Sequence, residues 1–264
     1  MNVDFSFPLE ELEYFLLILA RTTAFFFAAP FFSQNNVPAM LKTALAVIVS
    51  YLLYGVIMPH VYVEYNSIPE YTGYIILETI TGIVIGYSAA FAMNVSTFAG
   101  QIVDTDIGFS MAAQMDPVTM QNTTVTGYLY QYTFMLIFLV SGMHRYLLSA
   151  FAETFTLIPV GGAVLNTGFM YGKFVNFMAE YILIGFRIAL PVFCVILIVN
   201  CMLGVMAKVS PQMNMFAVGI QIKASIGLLV LFLTIGVLPQ AADIIFDFMK
   251  RTIVMAVTAL MPEG

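Results

Sequence analysis

Long runs of apolar residues alternate with short polar segments along almost the whole chain. The first two runs cover residues 12–32 and 39–58, and the short link between them favours a hairpin of two antiparallel helices. A third run covers residues 71–98, the longest covers residues 173–209, and a further run covers residues 215–238. Because about 20 apolar residues are enough to cross a bilayer as a helix, this pattern predicts an all-α membrane protein of broken and kinked apolar helices arranged in hairpins.

The composition supports this class. Hydrophobic residues make up 61% of the chain and charged residues only 9%, which is far from the balance of a soluble domain. We expect a single membrane-type domain over residues 1–264, because the runs leave no room for a separate soluble domain. The net charge of −6 excludes the basic surface typical of a nucleic-acid-binding protein.

Two further segments have more than one interpretation. Residues 128–141 and 146–158 are each short for a membrane span, so they form either one long broken helix or two short helices in a hairpin. Residues 243–261 have an amphipathic pattern, and this C-terminal segment could lie at a membrane interface as readily as it could span.

The central stretch, residues 100–127, is neither apolar enough to span a bilayer nor polar enough for an ordinary surface loop. It contains three carboxylates, no Lys or Arg, three methionines and two helix breakers. Irregular backbone at membrane depth survives only in protein or beside water, and flexible Met fills gaps of uncertain shape. We therefore interpret this stretch as a cavity lining and movable seal, with a long solvent loop as the alternative. The predicted plug residues are Gly108, Met111, Met115, Asp116, Pro117 and Met120.

Several charged residues interrupt the apolar runs. A guanidinium such as that of Arg21 is costly at membrane depth, so it should face a protein interior or an aqueous cavity. Glu78 shares one helix face with Gly82 and Gly86, which favours close packing against another helix. Its carboxyl could be a proton site, one half of an ion pair with a partner subunit, or a protonated bystander. The charges predicted to be buried and to make subunit contacts are Arg21, Glu78, Glu180, Arg187 and Lys223.

The sequence predicts no catalytic, cofactor-binding or metal-binding residue. No zinc-protease, phosphate-loop or dinucleotide motif occurs in it, so we expect that the protein is not an enzyme. A secondary transporter for a small solute is the competing interpretation, because broken helices with buried charges could form a site at the bilayer midplane. No duplicated half of the sequence supports that alternative.

Motifs along most of the chain resemble the FliR family of flagellar type III protein export gate subunits, which is related to injectisome subunits. The most specific cluster is Leu203-Gly204 followed by a Pro-Gln pair and the motif residues that end at Lys223. Lys208 departs from the arginine expected in many relatives. The turn residues that carry the resemblance are Gly204, Pro211, Gln212, Asn214 and Phe216.

The resemblance implies a core subunit of an export gate in the bacterial inner membrane at the flagellar basal body. It implies FliP-like and FliQ-like partners, an adjoining FlhB-like subunit and unfolded flagellar proteins as export substrates. It also implies a conical helical assembly in which an apolar helix need not cross lipid, and it assigns the central loop to a plug of the channel.

Overall fold

The computed structural model describes residues 9–33, 37–58, 63, 65–109, 125–164, 166–210, 212 and 214–261. That part of the chain is helical and contains no strand, which confirms the all-α prediction. Its helices are α1 (Leu9–Ala28), α2 (Ala39–Val56), α3 (Ile68–Met93), α4 (Val95–Ile107), α5 (Val125–Val140), α6 (Met143–Leu157), α7 (Thr167–Val209), α8 (Met215–Thr234) and α9 (Leu238–Leu260).

Within the described residues, four segments are long and apolar enough to cross a membrane, and a fifth results if α5 and α6 count as one broken span. The four are Ala39–Val56, Ile68–Ile107, Gly172–Val209 and Val218–Leu260. The prediction of an all-α membrane protein is thereby confirmed.

The chain divides into two compact units, each built from segments that are separated in sequence. Unit 1 comprises Met1–Phe91, Met143–Val175 and Met249–Gly264. Unit 2 comprises Ala92–Gly142 and Asn176–Phe248. The sequence had predicted one domain, and its pattern of runs carries no mark of this interleaving.

In unit 1, α1 packs against α2 and also receives the small-residue face of α3. A Cβ atom on Gly82 would meet the Arg21 carbonyl and lie 2.9 Å from the Cβ of Ala24. A Cβ atom on Gly86 would lie 2.9 Å from the Cβ of Ala28. Glycine is therefore required at both positions, and the predicted close approach of α3 to a neighbouring helix is confirmed.

In unit 2, α4 is the central helix, because α5, α7 and α8 all contact it. A Cβ on Gly227 of α8 would lie 2.5 Å from Ile107, and Phe98 fills the space beside Gly185 of α7. The Phe98 ring also lies 5.4 Å from the ring of Tyr181. Glycines on the neighbouring helices thus make room for large side chains on α4.

The structure corrects the start of the predicted central loop. Residues 100–107 belong to α4, and the helix ends only at Gly108. Gly100 and Asp104 had been included in the predicted loop, but both lie in α4 and make packing contacts on the side of this helix that meets α5. Helix α4 therefore extends further into this stretch than the sequence pattern indicated.

Three further segments can be compared with the sequence predictions. Ser141 and Gly142 separate α5 from α6, and Gly142 has a φ of +74°, so the helix is broken between these two segments. The apolar runs at residues 173–209 and 215–238 correspond to α7, which continues to Val209, and to α8, which starts at Met215. In α9, Asp243, Asp247 and Arg251 are exposed, whereas buried apolar residues recur every three or four positions, as in an amphipathic helix.

Candidate functional site: the base of the central loop

Gly108 is the only predicted plug residue within the described part of the chain. Its φ of +96° places it in the left-handed region, where glycine ends helices at little cost. The Gly108 N–H donates to the Asp104 carbonyl at 3.0 Å and closes the last turn of α4. The other predicted plug residues lie outside the described residues; they are Met111, Met115, Asp116, Pro117 and Met120.

Asp104 joins the two helices that flank the central loop. Its side chain is fully buried, and its Oδ2 accepts a hydrogen bond of 2.8 Å from the backbone N–H of Thr126. Thr126 is in the first turn of α5, where N–H groups have no partner within the helix. A carboxylate at that position also interacts favourably with the helix dipole. No other described group bonds to Oδ1 of Asp104.

The same two helices approach each other closely at a pair of glycines. A Cβ atom on Gly100 would lie 2.5 Å from the Cα of Gly127. Gly100 is one helical turn before Asp104, so the glycine contact and the carboxylate bond lie on one face of α4. Gly100 and Asp104 lie in the stretch that was predicted as the central loop, but neither was predicted as a site residue, because no local signal identifies a partner 22 residues away.

A second carboxylate on α4 faces a different neighbour. Lys223 of α8 acts electrostatically on Asp106, and Oδ2 of Asp106 is buried without a hydrogen-bond partner in the described part of the chain. A cavity of 380 Å³ lies beside this carboxylate; it is lined by Phe98, Gln101, Ile102, Thr105, Asp106 and Phe193. Lys223, predicted as a buried charge for subunit contacts, is half-buried and already has an acidic neighbour in its own chain.

Arg21 and Glu78 form a buried ion pair inside unit 1. Both side chains are fully buried, and two guanidinium nitrogens donate to the two carboxylate oxygens, with Nη2 at 2.8 Å from Oε1. The Arg21 guanidinium also donates to the carbonyl of Ile158 at 3.0 Å and lies 4.4 Å above the Phe155 ring. The Gly161 N–H donates to Glu78 Oε1 at 2.7 Å. The network therefore binds α1, α3 and the segment between α6 and α7.

This geometry corrects the assignment of Arg21 and Glu78 to subunit contacts. The expectation that Arg21 faces a protein interior is confirmed, but its partner is in the same chain. None of the three alternatives considered for Glu78 included this pairing. Periodicity reports which residues share one helix face, and it gives no information on which helix lies opposite.

The remaining predicted charges lie on α7. Glu180 is half-buried and interacts within the chain. Arg187 is exposed, and it has no hydrogen bond or ion pair with the described residues. The prediction of burial is thus wrong for Arg187 in the isolated chain, because the surrounding face of α7 is itself uncovered.

The most specific motif extends from the end of α7 through the following turn into α8. Gly204 is exposed inside α7, and a Cβ there would meet nothing within 4 Å. Gln212 is exposed in the turn, and the Asn214 carbonyl accepts the first N–H bond of α8, from Val218 at 3.2 Å. Pro211 and the side chain of Phe216 lie outside the described part.

The carboxylates of Asp104 and Glu78 have structural roles. Among the described residues, no group of three His, Cys, Asp or Glu side chains could hold a metal ion. The Asp104 carboxylate is engaged by a helix N-terminus, and the Glu78 carboxylate by a guanidinium and a backbone N–H. Such arrangements fix helices relative to one another.

The fold and these sites define a membrane protein whose apolar helices are held to one another by buried charges within each unit. Comparison with known proteins then gives the family: the chain belongs to the bacterial export proteins, family 1, whose pattern matches residues 12–249. The resemblance to the FliR family noted in the sequence is confirmed.

Individual relatives cover most of the chain. The chain is 30% identical over 242 residues to the flagellar biosynthetic protein FliR of Bacillus subtilis (strain 168), which covers 90% of this chain and 92% of that protein. It is 27% identical over 214 residues to FliR of Escherichia coli (strain K12), covering 80% and 79% of the two chains. It is 22% identical over 236 residues to the surface presentation of antigens protein SpaR of Shigella flexneri, covering 88% and 90%.

Proposed function

We propose that this protein is a core subunit of the flagellar type III export gate in the bacterial inner membrane, at the flagellar basal body. With FliP-like and FliQ-like subunits, and next to an FlhB-like subunit, it forms the channel through which unfolded flagellar proteins are exported. The central loop helps to seal this channel when no substrate is present.

The exposed apolar surface of α7 is the observation that carries the proposal of protein partners. Exposed apolar residues extend along it from Phe174 to Val209, a distance of about 50 Å at ~1.5 Å per residue. The hydrocarbon core of a bilayer is only about 30 Å thick. Unless the helix is very strongly tilted, lipid cannot cover this whole surface. We therefore expect apolar helices of other subunits to pack against it.

Arg187 adds a chemical requirement for the partner helix that packs on this surface. It is exposed in the middle of this apolar surface, with Leu183 49% exposed one turn before it and Leu190 47% exposed one turn after it. A guanidinium in such surroundings is stabilised by a carboxylate or by carbonyl oxygens. A partner helix on this face should therefore present an acceptor at the level of Arg187.

Copurification tests the partner proposal. We expect the full chain to be retained by affinity-tagged FliP-like and FliQ-like subunits of the same bacterium, and to be aggregated or protease-sensitive when produced alone. Arg187→Glu should reduce retention at least tenfold, since it places like charge against the expected acceptor. Arg145→Glu is the matched control, because Arg145 is also exposed but lies at the start of α6.

The result also separates the export gate from the solute transporter. A monodisperse, protease-resistant chain that is stable without partners would contradict the gate proposal. Unchanged retention of the Arg187→Glu variant would contradict the role of the α7 surface in that contact.

The seal is tested by permeability of cells that make the assembled complex. Each apolar Met contact is worth only about 0.3–1.5 kcal/mol, so a passing chain can displace such a seal. Deletion of residues 108–120, or replacement of Met111, Met115 and Met120 by Ala, should raise ion leakage. Asn122→Ala serves as the control within the same loop.

Assembly of each variant must be verified, because a missing subunit would also remove the leak. An assembled deletion complex as tight as the wild type would show that the loop is not the seal.

A further inference from the structure

The two ends of the central loop are tied to one residue, Asp104. Its carbonyl accepts the N–H of Gly108, at the end of α4, and its carboxylate accepts the N–H of Thr126, at the start of α5. The backbone nitrogens of residues 108 and 126 therefore lie 3.0 Å and 2.8 Å, respectively, from two oxygen atoms of the same residue.

Bulk water does not reach this hydrogen bond. Asp104 is fully buried, and Thr126 is only 1% exposed. A buried N–H without a partner is costly, and in this first turn of α5 the helix itself supplies no acceptor. Without the carboxylate, α5 would have to move or unwind until its first N–H groups reached water, and the end of the loop would move with it.

The glycine contact alone does not fix this end. Gly100 and Gly127 allow α4 and α5 to approach closely, but they make no directional bond that defines where α5 starts. The Asp104 hydrogen bond supplies that direction. Asp106, two residues later on α4, faces Lys223 of α8 and is not bonded to α5.

We propose that Asp104 is the positioning residue of the central loop: its carboxylate sets the start of α5 against the end of α4 and so holds the loop ends at a fixed separation. This inference rests on the proposed sealing function for its biological effect, whereas the separation itself does not depend on that function. The loop base is then a clamp formed by Gly100, Asp104, Thr126 and Gly127.

The separation is measured in the assembled complex by pulsed electron paramagnetic resonance. Spin labels are attached at Thr105→Cys on α4 and Val125→Cys on α5, which are both exposed, after the exposed natural cysteines are changed by Cys194→Ser and Cys201→Ser. A single narrow distance is expected for this labelled parent. In Asp104→Ala, the ratio of wider to native distances should rise about tenfold, as loss of a helix cap implies.

Two variants separate positioning from general damage. Asp104→Asn keeps an oxygen acceptor of the same reach and should retain the narrow distance. Asp106→Asn changes the same residue type on the same helix and should also retain it. Broadening in both of these variants as large as in Asp104→Ala would overturn the proposal.

A double-mutant cycle identifies the partner. Thr126→Pro removes the N–H donor, and proline is tolerated in the first turn of a helix. If Asp104 acts through that N–H, then Asp104→Ala should add little broadening in the Thr126→Pro background. Additive broadening would overturn the proposal.

Ion leakage of the same cells distinguishes this inference from the proposed function. Wider distances with raised leakage support both. Wider distances without leakage support the clamp and contradict the seal, whereas leakage without any change in distance contradicts the clamp.

Discussion

Breaking the buried Arg21–Glu78 pair should destabilise the protein more than any surface change. Glu78→Leu leaves the guanidinium fully buried with only the carbonyls of Ile158 and Pro159, at 3.0 and 3.4 Å, as acceptors. Removal of one partner from such a pair costs about 3–5 kcal/mol. For a chain of this size that loss corresponds to a decrease of roughly 10 °C in Tm.

The double variant Arg21→Met with Glu78→Leu should recover part of this loss. It removes both charges, and such replacements are often close to neutral. It still leaves backbone groups of the segment after α6 without partners, and each unsatisfied group costs about 1–3 kcal/mol. We therefore expect the double variant to be more stable than Glu78→Leu and less stable than the wild type.

Exchanging the two charges should not restore stability. In Arg21→Glu with Glu78→Arg, a carboxylate would face the carbonyl of Ile158 and a guanidinium would face the N–H of Gly161. The orientation of the pair is thus fixed by the backbone around it.

The assay is thermal unfolding of the purified assembled complex, in which the loss of the folded, intact subunit is followed as the temperature rises. Glu153→Leu is the control, because Glu153 is an exposed carboxylate on α6 and should change the free energy of unfolding by less than about 0.5 kcal/mol. A Glu78→Leu complex with the Tm of the Glu153→Leu control would refute the reasoning. So would full rescue by the exchanged pair.

Two further predictions follow from the helix packing. Gly82→Ala should impair folding of the subunit, because the added Cβ would meet the Arg21 carbonyl, whereas Gly73→Ala on the same helix meets nothing within 4 Å and should be neutral or stabilising by up to ~1 kcal/mol; comparable yields of intact subunit from both variants would contradict this packing. Pro191→Ala supplies a backbone N–H donor to the carbonyl of Arg187 and raises helix propensity by about 3 kcal/mol. If the proline shapes a contact surface, this variant should nevertheless impair assembly or export. Wild-type copurification and motility would show that the proline is incidental.

The sequence predicted the features that depend on neighbouring residues along one helix. The four-residue spacing of Gly82 and Gly86 identified the face of α3 that packs on another helix. Hydropathy gave the apolar helices, and the motif at Gly204 indicated the family. Each of these signals is contained in one segment of the chain.

Features that depend on contacts between distant segments were not predictable in this way. Arg21 and Glu78 are 57 residues apart, and Asp104 and Thr126 are 22 apart, so helical periodicity does not relate them. Asp104 was counted with the polar residues of a loop because burial of its carboxylate depends on α5. The same limit explains Arg187, since a sequence cannot show whether a covering helix comes from the same chain.

The interleaving of the two units has a consequence for synthesis of the protein. The chain of unit 2 is complete at residue 248, whereas unit 1 still lacks Leu260, whose carbonyl accepts the N–H of Val164 at 3.0 Å. Glu78 also precedes its partner Gly161 by 83 residues. At about 5–20 residues per second, the ribosome needs roughly 4–17 s to make that interval. Arg21 and Glu78 are therefore synthesised seconds before their backbone partners, and unit 1, which contains α1, is completed only after unit 2.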